Sequence, residues 1–369
     1  MVSDMKKTLL FLLILITSIP LFAQTQEEFM KANTFGKQAV TLIDEGKFDK
    51  AIELLDSAAK WNPSRVEYPY EKALAYFYKN EFSTAYEILD SLTKNNRINE
   101  MIYVLKSNCL TSMNKRDEAA KLLQEGLVKF KKSGKIYAEL GLLQFEAKKD
   151  NLAISEWEKG VSVASDYPNN YYYLSKIFSM NYFFVWSLID GEIYILLSEN
   201  ETKVKEISKI MYNVFNRSLF FKEEKSKVPQ IKFTLKGIKT DKPKAAKDLP
   251  FEMAYESVMQ KVAPFYIKDE KGNISIAKIS KIREEFILEW YRQNLNEKFT
   301  NLLFDWNRKL IGRGYFEAYN YLLFKEGNIE EYNEWYKKNK DKSDEFMNWL
   351  IDNPVIFDET KNVQRMNLE

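Results

Sequence analysis

The sequence predicts an all-α protein, an array of stacked helical hairpins followed by a second helical region, and three observations predict it. Ala51, Ala85, Ala119 and Ala153 recur at one constant interval of thirty-four, and twelve positions before each stands another small residue, Ala39, Ala73, Ser107 or Gly141. The 369 residues include only 12 Gly and 9 Pro, too few for the many tight turns of an all-β architecture. Hydrophobic residues make up 45% of the chain and aromatics 15%, enough to bury a sizeable core.

The two small columns have a direct physical reading. Antiparallel helices approach closely only where side chains are small, so each column marks the contact line of one helix of a hairpin. Around it sit larger residues at the three-to-four spacing of a buried helical face. First helices carry Phe35 and Leu42, then Tyr76, then Tyr103 and Leu110, then Tyr137 and Leu140. Second helices carry Leu55 and Ala58, Leu89 and Leu92, Leu123, and Trp157. Short polar turns join them: Glu45-Gly46-Lys47, Lys79-Asn80-Glu81, Asn114-Lys115 and Lys148-Lys149-Asp150. Continued once more, the register predicts a fifth hairpin with Tyr171, Leu174, Ser175 and Phe178 on its first helix and Ser187 beside Trp186 on its second. Asn200–Phe221 then reads as a longer, more polar helix of the kind that caps an array.

With four units in register over residues 32–167, the pattern resembles the tetratricopeptide-repeat family. Gly46, Phe48, Ala51 and Pro63 bring the first unit closest to the consensus, whereas Pro69 takes the first aromatic position of unit two and Gln144 a core position of unit four. The resemblance implies a right-handed superhelical solenoid whose concave face, lined by first helices, holds a peptide or a helix. Carried over by register, the groove-facing residues are Tyr70, Leu74, Phe77 and Tyr78 in unit two, and Val104, Asn108 and Thr111 in unit three. Unit four supplies Ala138, Leu142, Phe145 and Glu146, and unit five Tyr172 and Lys176. The Lys/Asn/Arg constellation that clamps a peptide carboxylate in some members is missing, since Asn108 alone does not make one. An aromatic-aliphatic groove remains, open to a protein or peptide partner or else covered by the chain's own C-terminal region.

Lys6 and Lys7 precede the apolar run from Thr8 to Phe22, which ends at Ala23-Gln24. A basic start, a short apolar core and a small residue at the scissile position lay out a cleavable secretory signal. The run contains Pro20 and falls short of the ~20 residues that span a bilayer as a helix. Residues 1–23 are therefore expected to be a signal peptide and 24–221 the array, exported to the periplasm or secreted without a transmembrane helix in the mature chain. Residues 222–250 form a Lys-rich linker or strap, with nine Lys against three acids over 222–247 and an alternating Ile231, Phe233, Leu235. A C-terminal helical domain spans 251–353, with segments near Phe251–Val262, Ile276–Asn294, Phe299–Ile311, Tyr315–Lys325, Ile329–Lys338 and Ser343–Ile351, and 354–369 is a tail. Signal, array and aromatic helical tail together resemble envelope proteins of Bacteroidetes-type bacteria.

The chemical inventory is short. There is no His and one Cys, Cys109, which removes the commonest general base and zinc ligand and every Ser-His-Asp or Cys-His nucleophile system. A net charge of +2 with only 9 Arg gives no field for nucleic acid. Ser57-Ala-Ala-Lys60 and Ser91-Leu-Thr-Lys94 match a Ser-x-x-Lys catalytic motif, but they lie one repeat apart, at the same place in consecutive units, and the accompanying motifs are absent. Gly160-Val-Ser162-Val-Ala164 lacks the strand and the His of a nucleophile elbow. No catalytic residue, metal or cofactor is expected. A protein-binding or scaffolding role follows. Two alternatives stand beside it: glycan binding on exposed aromatics such as Trp290, Trp306, Trp335 and Trp349, and carboxylate-only hydrolysis, for which Glu284, Glu285 and Glu289 are the nearest acids.

Overall fold

The computed structural model describes residues 26–95, 98–220, 230–234, 245–267, 272–356 and 365. The expected signal peptide and most of the Lys-rich segment and tail lie outside these residues. The chain divides into two compact units, with the boundary between Phe130 and Lys131.

The first unit holds three hairpins. Helix α1 (26–44) pairs with α2 (Phe48–Trp61), α3 (Glu67–Tyr78) with α4 (Phe82–Lys94), and α5 (Glu100–Ser112) with α6 (Arg116–Lys129). From α2 to α6 each helix packs against the next, which is the stacking of a solenoid. Ala39, Ala51, Ala73, Ala85 and Ala119 have no exposed surface, and Ser107 has 1%. The small columns thus lie where helix meets helix. Cys109, beside them, is fully buried, and burial pushes its thiol up to about 12.

The second unit opens with two more hairpins, α7 (Gly134–Glu146) with α8 (Asp150–Val163) and α9 (Pro168–Met180) with α10 (Phe184–Leu197). Helix α11 (Glu201–Ser218) follows, packed on both α9 and α10. The turn inside each hairpin is the same object throughout the chain. Gly46, Asn80, Asn114, Lys148 and Tyr182, each one repeat after the last, all take left-handed backbone with φ of 61° to 74°. The next amide in each case, from Lys47, Glu81, Lys115, Lys149 or Phe183, reaches back to the carbonyl five residues earlier at 2.8–3.0 Å. This is a left-handed helix ending that satisfies carbonyls the helix would otherwise leave open. Its recurrence at Tyr182 makes the fifth hairpin as regular as the first.

Beyond α11 a two-residue strand pair joins β1 (Leu219–Phe220) to β2 (Gln230–Ile231) in antiparallel register, Leu219 opposite Ile231. The extended chain continues to Phe233, which is fully buried, and Thr234. Both backbone amides and the Thr234 hydroxyl donate to one carboxylate oxygen of Glu256, at 2.8, 2.8 and 3.0 Å. The alternation of Ile231 and Phe233 therefore reflects a docked segment. Leu235 lies outside the described residues.

Glu256 belongs to α12 (Phe251–Val262), the first of the C-terminal helices: α13 (Pro264–Ile267), α14 (Ile276–Arg292), α15 (Leu295–Lys298), α16 (Leu302–Arg313), α17 (Phe316–Phe324), α18 (Ile329–Lys338) and α19 (Lys340–Asp352). Their aromatics form one core with the last two hairpins, running from Ala153 to Phe346. Trp186 of α10 and Phe251 of α12 pack at 5.2 Å, and Phe215 of α11 meets Phe324 of α17 edge-on at 5.4 Å. A buried polar link crosses the same core. Glu192 of α10 accepts from Arg283 of α14 and, at 2.8 Å, from the Tyr319 hydroxyl of α17, while Arg283 also reaches Asn320.

Candidate functional site

The residues assigned to the groove fall in two places, one in each unit. In the first unit Tyr70, Leu74, Phe77 and Tyr78 lie at i, i+4, i+7 and i+8 of α3 and so share one helical face. All four keep part of their surface in solvent, Tyr78 most of all at 52%. Their rings are braced rather than loose. Tyr78 stacks on Phe48 at 5.9 Å, and Phe77 meets Phe82 edge-on at 5.3 Å. Burial pushes the Tyr70 hydroxyl up to about 12, with Glu71 and Tyr78 adding to the effect. On the neighbouring first helix α5, Val104, Asn108 and Thr111 are also partly open, but the Thr111 hydroxyl donates to the carbonyl of Ser107 in its own helix. The result is an apolar, aromatic strip whose polar handle is Asn108.

The second unit differs. Leu142 and Phe145 of α7 are half-buried and Glu146 is partly open, but Ala138 is only 2% exposed and Tyr172 of α9 only 7%. Neither side chain presents a surface to a partner, and the causes are local. The Ala138 carbonyl accepts from the Trp157 indole at 3.0 Å, which holds the backbone there against the edge of that large ring. Tyr172 is covered by α11, whose Glu206 accepts from the Tyr172 hydroxyl at 2.6 Å and pairs with Lys176 at 2.7 Å. Lys203, one turn earlier on α11, stands 4.7 Å from the Tyr172 ring and donates to Asn169 at 3.4 Å. Glu139 of α7 senses the same charges. Burial pushes its carboxyl up to about 7, Lys203 opposing and Glu146 adding to the shift.

Lys203, Glu206 and Glu139 escaped the sequence reading. A signal for the first two exists, because Lys203 and Glu206 stand one repeat after Asn169 and Tyr172 and so continue the register one unit further. Glu139 carries no such mark, since its burial depends on which rings crowd it.

The alternative chemistries find little support in the side chains. Ser57 donates to the carbonyl of Glu53 within its helix and Lys94 pairs with Asp90, so the two Ser-x-x-Lys matches form no common site. Glu289 is buried and bound by Lys261, Arg292 and Gln293, and Glu284 pairs with Lys281. A cavity of about 20 Å³ in the second unit is lined by Glu192, Arg283, Asn307 and apolar side chains and has room for a single water. Glu192 is the one acid in that lining. Among the described residues no three acid or Cys side chains group as a metal site, and no helix is long and apolar enough to cross a membrane.

Five hairpins with one register, one turn geometry and buried small columns make an all-α helical-repeat protein whose hairpins resemble tetratricopeptide repeats, extended by a C-terminal helical region. No protein-family profile and no curated protein sequence matches the chain. Among solved structures, similar ones include a thermophilic TPR protein of Thermus thermophilus (14% identity over 50% of this chain and 98% of that one, TM-score 0.42). Pseudomonas aeruginosa PilF is similar at 15% identity over 51% and 86%, TM-score 0.41. YrrB, described as a TPR protein with an unusual peptide-binding site, is similar at 14% identity over 52% and 91%, TM-score 0.32.

Proposed function

We propose that this chain is a non-enzymatic binding or scaffolding protein that holds an apolar helix or an extended peptide on the first-helix face of its N-terminal hairpins. The observation that carries this reading is the strip Tyr70, Leu74, Phe77 and Tyr78. It stays partly exposed, with the Phe77 and Tyr78 rings braced on Phe82 and Phe48, while the matching positions of the fifth hairpin are closed by Glu206 and Lys203 of α11. Rigid aromatics lose little conformational freedom on binding and give large contact area, which suits them as anchors. The apolar run ahead of Ala23 supports a place outside the cytoplasm, in the cell envelope.

A displayed peptide library panned on the full mature chain tests the reading. Selected peptides should share spaced apolar residues and should lose binding to the Leu74→Asp, Tyr78→Ser double variant, with helix content unchanged by circular dichroism. Peptides that bind the variant as well as the wild type would place the site elsewhere. Glycan binding through C-terminal tryptophans is disfavoured. Trp290, Trp306 and Trp335 are 0–7% exposed, and half-buried Trp349 spends one face on Trp306 at 5.4 Å.

A further inference from the structure

We propose that Glu158, with the rings of Phe178 and Phe183, forms a guanidinium socket on the fourth and fifth hairpins, filled by Arg365 from the C-terminal region of the same chain. Glu158 on α8 is 7% exposed, and Arg365 meets it with both prongs of the fork, Nε to Oε1 at 2.8 Å and Nη2 to Oε2 at 3.1 Å. The guanidinium plane also lies 5.6 Å from the Phe178 ring and 6.0 Å from that of Phe183. A carboxylate in bidentate contact and two rings in the same pocket are what a planar, delocalised cation requires, and a lysine ammonium would satisfy only the charge.

Asp190 on α10 lies within electrostatic reach of both Glu158 and Arg365. It too is 7% exposed, and its carboxyl is held well above the usual carboxylate range by burial first and by the nearby Glu158 second, with Arg365 opposing. The Glu158 carboxylate is the socket's ion-pair partner for the guanidinium. Removing Arg365 leaves Glu158 buried without that counter-charge, the costly half of a broken ion pair. The site binds the arginine side chain as a chemical class, and its occupant here, Arg365, stands more than 200 positions from Glu158 in sequence.

Hydrogen exchange on the full chain tests the assignment. Arg365→Ala should raise exchange in α8 and α10 about tenfold over wild type, and Arg365→Lys should fall between the two. Millimolar ethylguanidinium should restore part of the protection in Arg365→Ala, whereas ethylammonium at the same ionic strength should not. Glu158→Gln should exchange like Arg365→Ala and gain nothing from ethylguanidinium. Wild-type exchange in Arg365→Ala, or equal behaviour of the two added cations, overturns the socket. Should Arg365→Ala fail to fold, Arg365→Lys with and without ethylguanidinium gives the same decision.

Discussion

Ser175 and Ser187 exchange hydrogen bonds across the fifth hairpin, each hydroxyl donating to the other residue's carbonyl at 2.9 Å. They occupy the two small columns, where the first two hairpins place Ala opposite Ala. The hydroxyls fill the same narrow gap and add two buried bonds. Ser187→Ala should therefore cost only about 1 kcal/mol, the usual worth of one such bond. Ser187→Leu should cost roughly 3 kcal/mol or more, because it overpacks a contact line. Urea unfolding of both variants checks the contrast, and equal losses would mean that the column is not size-limited.

A contact between the first small column and the large residue one turn after the second column explains a departure from the pattern. Second helices carry Leu55, Leu89 and Leu123 where the fourth hairpin carries Trp157, and that hairpin alone has glycine in the first column. A β-carbon on Gly141 would stand 2.2 Å from the Trp157 indole nitrogen, which the Ala138 carbonyl holds in place. Gly141→Ala should destabilise by roughly 2 kcal/mol in the wild type. In a Trp157→Leu background the same change should be neutral or stabilising, since it restores the Ala–Leu pairing of the second hairpin. A thermodynamic cycle showing no coupling between the two positions would refute the pairing.

The carboxyl of Glu139 predicts a pH dependence. Its value is raised from the usual 4.5 to about 7 in the folded chain. The folded state therefore holds this proton after the unfolded state has released it. The stability it contributes is complete below about pH 4.5 and is lost as pH climbs to about 7. The loss is on the order of 3 kcal/mol at most. Glu139→Gln should flatten the fall over that window, and unfolding curves at pH 4.5, 6 and 7.5 show whether it does.

The docked segment after β2 depends on one acid. Glu256→Ala leaves the Phe233 and Thr234 amides buried without their acceptor and should cost on the order of 3 kcal/mol. Glu256→Gln keeps an oxygen at the site and should cost less. Limited trypsin digestion should then cut at Lys232 sooner in the alanine variant than in the glutamine one. Unchanged digestion would show that Phe233 docks on apolar burial alone.

Much of the fold was legible because a buried contact line leaves a periodic mark. The small columns, the turns and the fifth hairpin follow from one spacing, and α12 and α18 run from Phe251 to Val262 and from Ile329 to Lys338 as their stop signals indicate. The short helices α13 and α15 left no pattern, because a single turn shows no period. The groove was legible only by position. Register says which way Tyr172 points, but Glu206 and Lys203 decide whether it is reached. Likewise nothing in the spacing of Phe251 and Phe324 says that their partners are Trp186 and Phe215 of the array. Non-periodic packing is written in shapes, and a sequence shows shapes only after they fold.

The recurring left-handed turn bears on how a chain of this kind changes length. Because Gly46, Asn80, Asn114, Lys148 and Tyr182 occupy one conformation at one interval, a cut at any of them can be rejoined to any other. Gain or loss of a whole hairpin keeps every small residue facing a small residue. An insertion of any other size within a helix turns the residues beyond it about the helix axis and brings large side chains to the contact line. Such a protein lengthens in steps, and relatives are expected to differ by whole repeats within the array while varying freely at its ends.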